Sequence, residues 1–110
     1  MKLIVVPLTR DALERLDTDS NIEGDLSELL LSNKHFIELW ESDIFNKLNE
    51  SLSIMIDDFE DEQISIKQIP EAKKIVLGTI KENQDVKPLI DLLDQLELAE
   101  QKETAVFFYF

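Results

Sequence analysis

The sequence predicts an α+β fold, a small sheet that includes the N- and C-terminal strands and is packed with four or five helices. Three observations carry that expectation. Both ends of the chain are runs of β-branched and aromatic residues, KLIVV at 2–6 and TAVFFYF at 104–110. The sequence between them carries apolar residues at spacings of three and four, the period of a helix with one buried face. The chain has 110 residues, 44% of them hydrophobic, which suits one domain spanning 1–110 with a core of its own.

Taken in order, residues 2–6 read as a strand closed by Pro7. Thr9 is placed to cap a short helix with its stripe at Ala12, Leu13 and Leu16. Residues 17–24 (DTDSNIEG) form a polar connection. Asp25 with Glu28 then resembles a capping box, with Leu26, Leu29 and Leu30 as the first apolar turn of a helix. Phe36, Ile37 and Trp40 belong to a second short helix. Ser42 or Asp43 caps a longer one, in which Phe45, Leu48, Leu52, Met55, Ile56 and Phe59 form one stripe. That helix would place Asp43, Glu50 and Asp57 in a row, seven residues apart.

Ile64 and Ile66 alternate with Ser65 and Lys67, the pattern of a half-buried strand. Pro70 suits the first turn of a helix with Ala72, Ile75, Val76 and Ile80 inward. Pro88 suits the start of another, with Leu89, Leu92, Leu93 and Leu96 inward. The last strand is apolar on both faces, so it is expected to be central and covered on both sides.

Charge is the most informative feature. The net charge is −13. Residues 17–62 hold 14 acidic and 2 basic side chains, while the rest of the chain is nearly balanced. Charge that serves only solubility has no reason to segregate in this way. The expected binding face comprises Glu38, Glu41, Asp43, Glu50, Asp57, Asp58, Asp61 and Glu62. Such a face repels nucleic acid and steers a basic partner toward itself.

Most enzyme chemistries lack their residues. The chain has no cysteine and one histidine, His35, with no nucleophile motif beside it. There is no phosphate-binding glycine loop. Paired carboxylates alone do not make a glycosidase, which also needs an aromatic-lined cleft. No catalytic residue, cofactor or metal is therefore expected. The apolar run at the N-terminus is shorter than a signal peptide requires, and no stretch spans a membrane, so a cytoplasmic protein with no membrane partner is expected.

Residues 17–28 place oxygen atoms at positions 1, 3, 5, 9 and 12 of a calcium loop. Ile22 stands at the sixth position, where such a loop turns sharply on glycine, and a β-branched residue is strained there.

In size, acidity, absence of cysteine and absence of catalytic residues, the chain resembles bacterial immunity proteins. That resemblance implies a cytoplasmic inhibitor of a basic nuclease toxin. Two alternatives share the charge argument or need less of it. One is a nucleic-acid mimic that blocks a DNA-binding protein; the other is a housekeeping interaction domain, whose oligomeric state is open. Because Ile22 occupies the turn position, calorimetry should detect no micromolar calcium site in residues 17–28, and Glu28→Gln should leave the calcium titration unchanged.

Overall fold

The computed structural model describes residues 2–110. Four strands form one antiparallel sheet: β1 (Lys2–Pro7), β2 (Leu26–Leu31), β3 (Asp61–Ile64) and β4 (Val106–Tyr109), in the order β2-β1-β4-β3. Five helices accompany it: α1 (Arg10–Asp17), α2 (Asn33–Glu41), α3 (Ile44–Leu52), α4 (Ile69–Glu82) and α5 (Lys87–Lys102). The two terminal strands are the central pair, as their apolarity predicts. No helix among the described residues is long and apolar enough to cross a membrane.

Register fixes which side chains share a face. Ile4 lies between Leu29 and Phe108, and Val106 lies opposite Ile64. This face, with Val6 and Leu31, meets the apolar sides of α2, α3, α4 and α5 in one core. α5 lies on β1 and β4, α4 packs on α5, and α3 joins α4 to α2. Gln95 of α5 is buried above the sheet. Its amide donates to the carbonyls of Ile4 (3.1 Å) and Ser27 (3.2 Å), so a polar residue inside an apolar interface is satisfied.

The opposite face of the sheet is only partly covered. α1 packs there against β1, with Ala12 fully buried beside the buried Val5 and Pro7. Thr9 caps α1 through a 2.9 Å bond from the Ala12 N–H, as its position in the sequence predicts. One consequence corrects the expectation for the last strand. Phe108 is fully buried, but Phe107 and Tyr109, on the other side, are half-buried.

Three further elements depart from the sequence reading. Residues 26–31 form a strand, not the first turns of a helix. The pairing offered by β1 outweighs the i, i+3, i+4 spacing of the leucines. Asp25 caps no helix; it holds the preceding loop. The long third helix ends at Leu52. Ser53 takes a left-handed conformation (φ 56°), and Asn49 then holds the returning chain through both atoms of its amide. Its Oδ1 accepts from Ile56 N–H at 2.6 Å and its Nδ2 donates to Ile56 C=O at 2.9 Å. Ile56 still enters the core, but Met55 and Phe59 turn outward, and Phe59 is 87% exposed.

The third strand runs over 61–64 rather than 64–67. Gln68 explains its end: its Oε1 accepts from Ser65 N–H at 3.1 Å and its N–H donates to Ser65 C=O, which turns the chain into α4. Phe108→Ala should cost about 3–5 kcal/mol by lost transfer energy and the cavity left behind. Chemical denaturation with an unchanged m-value would measure it.

Candidate protein-binding surfaces

The acidic turn that precedes β3 lies at that edge of the sheet, and the side chains around it divide between two surfaces. The first is a shelf on α2. Phe36, Ile37 and Trp40 line a shallow depression of about 320 Å³ together with Glu41, Asp57 and Asp58. Phe36 stacks on Trp40 at 6.0 Å between ring centroids, and Trp40 leans on Phe45 below. Phe59 stands beside the shelf in the left-handed region (φ 65°), where a bulky residue is strained. The chain fills part of this surface with its own cation. The Lys2 ammonium pairs with Asp58 and lies 4.5 Å from the Phe36 ring centroid and 5.5 Å from that of Phe59.

The second surface is the uncovered part of the sheet. The register sets Leu30, Leu3, Tyr109 and Asp61 in one row across the four strands, with Glu28, Val5, Phe107 and Gln63 in the next. Phe107 and Tyr109 stack almost parallel, 9° apart at 6.2 Å. With Asp61, Glu62 and Gln63 they line a depression of about 270 Å³.

The loop after α1 completes this surface, and one ion pair holds it in place. Arg15 donates to Asp25 from Nε at 2.7 Å and from a terminal nitrogen at 2.6 Å, a two-pronged pair. The same carboxylate accepts from the Ile22 N–H at 3.0 Å and the Asn21 side chain at 3.3 Å. These bonds, led by Arg15, hold the Asp25 carboxyl far below the usual carboxylate range. Burial raises the pKa of the Tyr109 phenol, and the charges of Asp61, Asp17 and Asp19 raise it further.

The predicted face is partly assembled and partly dispersed. Glu41, Asp57 and Asp58 meet at the α2 shelf, while Asp61 belongs to the sheet surface. The Asp43, Glu50 and Asp57 row does not exist, because α3 stops before Asp57. Asp43 sits in a left-handed turn and accepts from Asn46 at 2.8 Å. Glu50 lies beside Lys47 and Lys74 in the groove between α3 and α4. Glu62 turns to the chain itself, accepting from the N–H groups of Met55 and Gln63, each at 2.8 Å. Glu38 is half-buried on α2. Asp57–Glu62 is a turn followed by an edge strand, not a helix end.

Sequence reading missed the exposure of Trp40 and Phe59 and the incomplete burial of Tyr109. The two-sided apolarity of residues 104–110 held the signal for Tyr109, since a small sheet with one short helix on its second face leaves part of that face open.

The calcium pattern is dismantled by the fold. Asp25 is engaged by Arg15, and Glu28 points from strand β2. Among the described residues no group of three or more acidic or histidine side chains is arranged to hold a metal ion.

Fourteen carboxylates lie in residues 17–62, and among the described residues only Asp25 and Asp58 have a cationic partner within ion-pair distance. The acidic residues of α5 differ. Glu100 meets Lys73 at 2.8 Å and Asp91 meets Lys87 at 2.8 Å.

No protein-family model matches the chain, and no curated protein does. A solved structure does match: the Neisseria DNA mimic protein DMP12, at 17% identity and a TM-score of 0.64, over 100% of both chains. The two proteins share a fold.

Asp25→Asn should lower the melting temperature at neutral pH by removing the loop's anchor. A carboxyl with a depressed folded pKa contributes stability above its unfolded pKa and loses that contribution as pH falls through the folded value. The gap between variant and parent should therefore narrow steadily below about pH 4, in melts followed by circular dichroism.

Proposed function

We propose that this chain is a DNA mimic, an acidic protein that acts by binding rather than by catalysis and that occupies the DNA-contacting surface of a basic protein. The observation that carries this reading is the largely unneutralised charge of residues 17–62, where among the described residues two of fourteen carboxylates, Asp25 and Asp58, have a cationic partner. Duplex DNA presents one negative charge for about every 1.7 Å of its axis. A protein built to bind it offers Lys and Arg side chains in a matching field. Carboxylates spread over two adjoining surfaces meet that field without needing a nucleotide. The full-length likeness to a protein described as a DNA mimic supports the same reading.

The two kinds of group divide the work. Charge steers the encounter and sets its rate, and salt screens it. Exposed aromatic residues such as Trp40 and Phe59 offer the apolar anchors that hold a complex once formed. A nuclease toxin is one special case of such a basic partner. It would be recognised by loss of its nuclease activity in the complex.

The test uses a basic DNA-binding protein of the source organism, labelled DNA and a mobility-shift assay. This protein should displace the DNA in proportion to its concentration. A stable ternary complex with both bound would sink the reading. Charge reversal at Glu41, Asp57 and Asp61 should weaken displacement at least tenfold, about 1.4 kcal/mol or more. Reversal at Glu97 and Glu103 on the opposite part of the chain should change it little. Asp58 is left out of the first set because it pairs with Lys2, and Glu62 because it accepts from the N–H groups of both Met55 and Gln63; Asp57 accepts only from the adjacent Asp58 N–H.

A further inference from the structure

We propose that the uncovered sheet surface around Tyr109 is a receiving site for an arginine side chain of the basic partner. The inference rests on the proposed function and names the chemistry of one contact within it.

Four observations converge on this surface. First, it is apolar and aromatic where it faces water: Phe107 and Tyr109 stand parallel on β4, with Leu3 and Leu30 continuing the row. Second, the phenol lies in the field of carboxylates. Asp61 is its cross-strand neighbour on β3, and the charges of Asp17, the last residue of α1, and Asp19, in the loop after it, also raise the pKa of the phenol. Third, among the described residues none of those three has a cation within ion-pair distance. Fourth, the segment that carries Asp17 and Asp19 is fixed by the Arg15–Asp25 pair rather than left to fold on binding.

An aromatic face with a carboxylate beside it, in a field of further carboxylates, is complementary to a cation with a flat apolar surface. Guanidinium has that shape: it stacks on aromatic rings and donates in its plane to carboxylates. Ammonium is a compact, strongly hydrated charge and gains less from the ring. The chain supplies an internal precedent at the α2 shelf, where Lys2 fills the equivalent position against Phe36, Phe59 and Asp58. The Tyr109 position presents the same combination of aromatic ring and carboxylate.

The sequence provides two separate reporters, since the chain has one tyrosine and one tryptophan. Tyrosinate absorbance in an alkaline titration reads Tyr109 alone. Trp40 fluorescence reads the α2 shelf. The probes are nona-arginine and nona-lysine peptides at low ionic strength, with affinity measured by calorimetry at neutral pH. Nona-arginine should bind more tightly by about two- to fivefold, the range expected of one cation–π contact at an exposed site. It should also lower the Tyr109 pKa, because the bound cation offsets the three carboxylates. Tyr109→Leu should erase the arginine preference while retaining charge-driven binding, and Tyr109→Phe should keep it. The triple change Asp17→Asn, Asp19→Asn, Asp61→Asn should weaken both peptides and lower the phenol pKa without any peptide. Melting curves establish that each variant is folded.

An arginine preference that survives in Tyr109→Leu overturns the proposal. So does nona-arginine binding that quenches Trp40 and leaves the tyrosinate titration unmoved; that outcome would keep the proposed function and move the cation to α2. If neither peptide binds at low salt, the arginine site and the DNA-mimic reading both fail.

Discussion

The pairing of β1 with β4 is the constraint on which the rest of the structure depends. It places the first and last segments described at the centre of the sheet, so every other element is added to one side of that pair. β2 attaches to β1 and β3 attaches to β4, and the chain between must leave the sheet and return to it. α5 covers the pair from the core side, with Gln95 bonded to the backbone of both β1 and β2. Had the two ends been edge strands, the acidic segment would have had no edge of its own. As built, β3 is an edge, and the acidic turn that enters it lies where two surfaces meet.

That placement explains how one short run of sequence serves two faces. Asp57 and Asp58 precede the strand and turn toward α2. Asp61 and Glu62 are within it and alternate, one to the open face and one toward the chain. A helix would have spread the same residues around a cylinder. The turn and strand instead sort them: Glu62 and Asp58 are used internally, Asp57 accepts only from the adjacent Asp58 N–H, and Asp61 is left free. Charge density read along the sequence therefore overstates the number of carboxylates on offer and understates how they are aimed.

The architecture was legible in the sequence where periodicity and position agreed. The terminal strands, α1 with its Thr9 cap, and the proline-led helices α4 and α5 stand where their residues place them. Legibility failed where a tertiary partner decided the matter. Leucines 26, 29 and 30 fit a helix by spacing, and only the presence of β1 makes them a strand. Met55 and Phe59 fit the stripe of α3, and only Asn49, by grasping Ile56, ends that helix. The acidic face was legible as composition, but its partition was not. Asp17 and Asp19 are more than 80 residues from Tyr109 in sequence, yet their charges act on its phenol in the fold. No local pattern encodes that distance.

The unneutralised carboxylates also have a consequence for the solution around the free protein. Fixed charges of one sign, crowded on adjoining surfaces, concentrate cations beside them, as a nucleic acid backbone does. A cationic partner that docks there displaces those ions into the bulk. Part of the driving force is then the entropy of small ions that are never seen in the complex, and it grows as the medium is diluted. If the chain acts as proposed, its likeness to DNA lies in its ion atmosphere.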